Sequence, residues 1–204
     1  GGSVRIPCAW NGIYGMKATL GRIPRYGGVA QPGPNQTSSS GPMSRWVMDT
    51  AIMLQALSGH DSRDTSALRS PVPDFVSGLA KGVSGKKIGW SINLGIAPAN
   101  PAVEKALLYA AAAFKELGAA VEEAPIKIDT PPSSYWMKVW CVNQVAMYGH
   151  LVESNLDDLM HYTVAMNYEG LKITAADYAR ALKEAEVFRT QMADYFEEFD
   201  LLIL

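Results

Sequence analysis

Nucleophilic chemistry in this 204-residue chain would start at Ser3, which follows Gly1 and Gly2 and precedes Val4-Arg5-Ile6-Pro7. Glycines carry no Cβ, so the backbone ahead of the serine can turn tightly and aim consecutive amide hydrogens at one incoming oxygen. A hydroxyl at the opening of such a turn is the layout of a nucleophile beside an oxyanion hole, with Gly1 and Gly2 supplying the hole. Blander readings stand next to this one. A Gly-Gly-Ser run at a chain start is also what an expression linker leaves behind. Most serines in glycine turns only close the turn, and Arg5 and Lys17 can be ordinary surface charges. Cys8 is a second candidate nucleophile, although no base is evident near it in the sequence.

The pattern runs well past any linker. Gly1-Gly2-Ser3-Val4-Arg5-Ile6-Pro7 and Gly12-Ile13-Tyr14-Gly15-Met16-Lys17-Ala18-Thr19 resemble the second half of the signature of the amidase signature family: Gly-Gly-Ser-x-Arg-x-Pro, then Gly-Ile-x-Gly-Leu-Lys-Pro-Thr. A separate block agrees with it. Gly41-Pro42-Met43-Ser44-Arg45 with Asp49-Thr50-Ala51 resembles that family's Gly-Pro-Met-x-Arg-x-Val-x-Asp-x-Ala helix, and Gly59-His60-Asp61-x-x-Asp64 resembles the turn after it. Met16 and Ala18 depart from the usual leucine and proline.

The resemblance implies a role for each matched residue. Ser3 becomes the catalytic nucleophile of an amide-bond hydrolase, Gly1 and Gly2 its oxyanion hole, Arg5 a supporting residue of the signature and Lys17 a structural lysine. In the family the base is an unprotonated lysine acting through a serine on a cis peptide, and both precede the nucleophile. The chain is therefore expected to be one amidase-signature domain over residues 1–204, truncated at both ends and inactive in isolation. Ser38-Ser39-Ser40 follows Ser3, so it is not the family's Ser-Ser-Gly-Gly relay element and reads as hydroxyl-rich loop and helix lead-in.

The implied activity is hydrolysis of a carboxylic amide C–N bond through a serine acyl-enzyme, acting on a small-molecule amide. Two other functions stay open: the glutaminase subunit of a tRNA-dependent amidotransferase, and a noncatalytic scaffold that keeps the fold. No cofactor and no metal are expected. His60, His150 and His161 lack helical i, i+4 pairing and have no cysteine pair nearby. His60 next to Asp61 is better read as turn hydrogen bonding than as a catalytic dyad.

Composition narrows the classes further. An apolar content of 48% with 19% charged residues is that of a globular protein. No run approaches the ~18 apolar residues that span a membrane. A formal charge of −2 without a lysine/arginine stripe argues against direct nucleic-acid binding. Cys8 and Cys141, far apart in the sequence, read as reduced thiols of a cytoplasmic protein. A homodimer is left open.

The elements that must position Ser3 are read from periodicity. The fold expected is α/β, a mixed β-sheet flanked by helices. Helices are predicted at Ser44 to Ser58, after the Asn100-Pro101 cap to Gly118, from Pro131-Pro132-Ser133 to about Val152, at Leu156 to Tyr162, and from the Thr174 cap onward. Strands are predicted at 87–92, at 120–124 and, buried on both faces, at 199–204. Ser70 to Ser84 reads as a surface crossover, and Tyr168 to Leu171 as loop. The aromatic helix carrying Trp136, Trp140, Val145 and Tyr148 is weighted toward core packing. Its Cys141, Asn143 and Gln144 are nonetheless the place where a residue outside the signature would touch substrate.

Overall fold

A computed structural model of the chain describes residues 2–26, 38–96, 98–124, 126, 128 and 130–204. The chain divides into two compact units, Gly1–Lys81 and Gly82–Leu204.

In the first unit the serine turn leads straight into α1 (Arg5–Asn11), a helix that the sequence pattern does not announce. Pro7 is tolerated because it lies in the first turn, where the amide it lacks would have no intrahelical partner. Gly12 ends the helix in the left-handed conformation at φ 59°. Strand β1 (Tyr14–Gly15) then pairs antiparallel with β2 (Met43–Ser44), Gly15 opposite Met43. Helix α2 (Val47–Leu57) starts three residues later than predicted, because Ser44 belongs to β2 and its hydroxyl donates to the Trp46 carbonyl at 2.8 Å. The predicted crossover contains a short helix, α3 (Phe75–Gly78), which Asp74 caps by accepting from the amides of Val76 and Ser77.

The second unit is built on periodic packing. Strand β3 (Lys87–Trp90), helix α4 (Pro101–Glu116) and strand β4 (Ala120–Glu123) form the expected βαβ unit, with β3 and β4 parallel. Asn100 caps α4, and Gly118 follows it at φ 88°. Helices α5 (Pro132–Ser154), α6 (His161–Leu171) and α7 (Ala175–Glu198) come next, and β5 (Leu201–Ile203) adds to the other side of β3. The sheet order is β4-β3-β5. Strand pairing of both kinds, flanked by helices, is the α/β class expected, with the antiparallel and parallel pairs in separate sheets.

Three expectations fail here. The 168–171 segment is the end of α6, and the predicted helix from Leu156 is only a 3-10 turn at Leu156–Asp158. Gly170 looks like a helix breaker but serves helix packing: a Cβ there would lie 2.4 Å from the Cys141 carbonyl oxygen, so glycine lets α6 approach α5 closely. Strand β5 is not buried on both faces, since it pairs with β3 alone among the described residues, Leu201 is exposed, and Leu202 and Ile203 are half-buried.

Two clusters hold this unit. Ala124, Tyr195 and Phe199 pack with Met192 and Leu202, the Tyr195 and Phe199 rings stacked at 4.6 Å. Tyr135 and Val139 of α5 meet Ala181 of α7, with Trp136, Tyr178 and Phe188 around them. Trp136 stacks on Trp140 at 5.4 Å. Tyr135, Trp136 and Trp140 of α5 thus take part in packing, the role the sequence favours for the aromatic residues of this helix.

Candidate active site

The chain at the signature is fixed from beneath. Ile6 donates its amide to the Gly2 carbonyl at 2.7 Å and Cys8 donates to Val4 at 3.2 Å, which makes residues 2–5 a turn that runs into α1. Ser3 sits in that turn with an exposed side chain, and its hydroxyl makes no hydrogen bond to another described residue. Val4 and Cys8, one turn apart, are both buried and point the other way. Against them lies Gly15 of β1, where a Cβ would be 2.3 Å from the Cys8 Sγ and 2.7 Å from the Val4 Cγ1. The Cys8 thiol donates to the Tyr14 carbonyl at 3.4 Å. Helix and hairpin are therefore keyed together through one missing side chain.

The hairpin is fastened in turn. Met16 donates its amide to the Pro42 carbonyl at 3.0 Å. A Cβ at Gly41 would lie 1.8 Å from the Met16 carbonyl oxygen, so only glycine fits that crossing. The Lys17 ammonium donates to the Ala18 carbonyl at 2.8 Å and to the Ser39 hydroxyl at 3.2 Å, while Ser39 itself donates to the Ala18 carbonyl at 3.0 Å. Burial pushes the Lys17 pKa below its usual 10.5, and the Arg5 charge adds to the shift. Lys17 is thus spent on holding the 38–44 segment against the 16–19 segment, which agrees with its reading as a structural lysine. Ser39 does more than the loop role expected of it, and nothing in a run of three serines marks the middle one as the clamp.

A second anchor lies in the same unit. Asp64 is buried and accepts from the Arg25 amide at 2.8 Å, the Ser66 amide at 2.9 Å and the Ser66 hydroxyl at 2.6 Å. The Ser66 hydroxyl is the largest cause holding its carboxyl below the usual 3.8. Asp61 has its carboxylate against the Arg63 guanidinium at 2.6 Å, which holds its pKa down at about 2. Asp61 therefore serves the turn, as expected for the His60-Asp61 pair.

Of the site residues read from sequence, Gly1 lies outside the described residues. Gly2 is half-buried, and a Cβ there would meet the Ile6 side chain at 2.5 Å. Arg5 is exposed on the first turn of α1, close enough to Lys17 to act on its charge. In the second unit, Asn143 and Gln144 are buried, and the Asn143 Nδ2 has no acceptor among the described residues. Among the described residues no group of three or more histidine, cysteine, aspartate or glutamate side chains could hold a metal ion.

These features define an α/β protein whose exposed serine opens a glycine turn keyed to a hairpin. The chain belongs to the Amidase family, whose sequence model matches residues 1–204. It is 31% identical over 207 aligned residues to an acylamidase of Rhodococcus erythropolis, covering 99% of this chain and 42% of that protein. It is 40% identical over 126 residues to a glutamyl-tRNA(Gln) amidotransferase subunit from Geobacter sp. strain M21, covering 62% of this chain and 26% of that subunit. Among solved structures, a bacterial aryl acylamidase of the amidase signature family superposes with a TM-score of 0.84 at 29% identity, over 99% of this chain and 43% of its own. The chain thus spans less than half the length of these relatives.

Proposed function

We propose that the protein hydrolyses small carboxylic amides, with Ser3 as nucleophile. As the Ser3 Oγ adds to the amide carbonyl carbon, its proton passes to a base, and the carbonyl oxygen becomes an anion facing the amides of the Gly1-Gly2 turn. Donors of this kind are typically worth about 3 kcal/mol each. Collapse breaks the C–N bond, the amine leaves with a proton, and water then cleaves the ester on Ser3 to release the acid. Arg5 supports the turn from the helix that follows it. With the Lys17 amine spent on Ala18 and Ser39, the base is not Lys17, and residues 1–204 alone are expected to show no turnover.

The observation that supports this reading best is an alignment with an acylamidase along 99% of the chain. The amidotransferase subunits are more similar where they align, and they favour the glutaminase as a second reading. The Geobacter match covers only 62% of the chain, however, and the Thermotoga maritima subunit superposes at a TM-score of 0.63 against 0.84 for the aryl acylamidase. We place the protein in the reducing cytoplasm because Cys8 and Cys141 are free. We expect no nucleic-acid partner, given a charge of −2, and leave the homodimer to measurement. No helix among the described residues is long and apolar enough to cross a membrane.

The test is turnover of an aryl anilide and of glutamine by the protein with the family's Ser-Ser-Gly-Gly and lysine elements in place. Anilide hydrolysis lost on Ser3→Ala, with a fluorophosphonate adduct mapped to Ser3, supports the reading. Activity confined to glutamine selects the glutaminase. Anilide turnover that survives Ser3→Ala overturns the assignment.

A further inference from the structure

The side chain of Ile6 borders both parts of the serine turn. Its amide closes that turn by donating to the Gly2 carbonyl at 2.7 Å, and its side chain folds back over the same glycine. A Cβ at Gly2 would lie 2.5 Å from the Ile6 Cδ1 and 2.9 Å from its Cγ1. Val4, at φ −90° and ψ −50°, is in the right-handed helical conformation, so the chain winds helically from Ser3 to Ile6. Residues three apart on such a turn are neighbours, with about 5–6 Å between their Cβ atoms. Val4 and Cys8 are buried on the other side, whereas Ser3 is exposed and Ile6 is 56% exposed. An isoleucine that the core does not use is thus held beside the serine and against the glycine.

An amide attacked at Ser3 turns its oxygen toward the glycine turn, which leaves its two other substituents on either side of the serine. The amine has to leave toward a group that can give it a proton. Neither Ile6 nor Pro7 has one to give, so the substituent on their side is the acyl chain. We propose that Ile6 is a specificity residue: the acyl chain of the substrate packs on its side chain, and the protein selects amides of apolar acids. Each methylene taken from water onto that surface contributes up to about fourfold in kcat/KM. A carboxylate placed there would lose water and gain no partner from the isoleucine. The proposal rests on Ser3 as the nucleophile.

The experiment uses the protein with the family's Ser-Ser-Gly-Gly and lysine elements in place, and the anilides of acetic, propionic and butyric acids. Wild-type kcat/KM should rise by about two- to fourfold with each methylene. The monoanilide of succinic acid should be at least about tenfold poorer than butyranilide. In Ile6→Ser the dependence on chain length should flatten while acetanilide turnover stays within about twofold of wild type, and Ile6→Val should keep part of the dependence. An equal loss on all three anilides in Ile6→Ser would give Ile6 a purely structural role and overturn the proposal. An unchanged dependence on chain length would do the same, as would a wild-type preference for the succinic monoanilide. If Ile6→Ser does not fold, Ile6→Val decides: a shallower dependence supports the contact, and an unaltered one sinks it. Alkyl fluorophosphonates of rising chain length separate this from the role of Ser3. No adduct at Ser3 would remove the nucleophile and the proposal together, whereas an adduct whose rate ignores chain length would overturn the proposal alone.

Discussion

The two units of this chain are held by different means. In residues 1–81, position is set by close backbone crossings at Gly21 and Gly41, by the room that Gly15 leaves for the Val4 and Cys8 side chains, and by polar side chains that clasp backbone, such as Lys17, Ser39 and Asp64. In residues 82–204, position is set by apolar periodicity: stacked rings, a central strand whose Ile88 is fully buried, and capped helices. The first kind of construction tolerates no added atom at its crossings. The second spreads strain over many adjustable contacts, apart from the crossing of α6 on α5 at Gly170. On the proposed function, a nucleophilic hydroxyl presented at one angle is better served by the first.

This contrast predicts a ranking of stability losses. Gly21→Ala should be the most damaging. Gly21 holds φ at 78°, and its Cβ would lie 1.9 Å from the Ser66 carbonyl oxygen. Left-handed strain and backbone overlap together should cost about 3 kcal/mol or more, read as a fall in the urea midpoint. Asp64→Asn turns one of the two carboxylate oxygens that together accept from three donors into an amide donor and should cost about 2 kcal/mol. Its pH signature is distinct. Because the folded carboxyl titrates below the ordinary 3.8, its contribution is fully present above the unfolded value and is lost as pH falls through the folded one. The stability difference between the wild type and Asp64→Asn should therefore close only below pH 3.8.

Smaller effects are expected from the second unit. At Gly89 a new Cβ would lie 2.0 Å from the Tyr195 hydroxyl, the far end of a side chain, so Gly89→Ala should cost about 1 to 2 kcal/mol. Asn100→Ala removes the cap that accepts from the Ala102 amide at 2.9 Å, at about 1 kcal/mol. Ser3→Ala should shift stability by less than about 0.5 kcal/mol, since an exposed side chain with no hydrogen bond to another described residue is removed. A Gly89→Ala loss exceeding that of Gly21→Ala would erase the contrast. A large loss from Ser3→Ala would make the serine part of the packing instead of its cargo.

The same contrast explains what the sequence could disclose. Helix α4 was legible from its Asn100-Pro101 start and Gly118 stop, and α7 from Thr174, whose capping box with Asp177 is formed as expected. The apolar residues Val103, Leu107, Ala110, Phe114 and Leu117 recur at helical spacing along α4, yet Leu107 is buried while Val103 and Leu117 are exposed, because periodicity marks a face without saying what meets it. Gly170 misled because a helix-packing glycine and a helix-breaking one look alike in sequence. In the first unit, resemblance located the serine turn, yet α1 went unread: its seven residues are too few for a periodic signal, and Pro7 argued against it. The clamp of Lys17 by Ser39 joins positions 22 residues apart, a pairing that no local pattern encodes.

The pocket that Gly15 leaves for the Cys8 sulfur bears on how inhibition should be interpreted. A mercurial or methanethiosulfonate reaching that thiol would wedge the hairpin away from α1 and tilt the helix that follows the serine turn. Inactivation by thiol reagents, often taken as the mark of a cysteine enzyme, would here be a mechanical effect transmitted from below, and substitution of Cys8 by alanine should abolish the sensitivity while leaving the reaction itself intact.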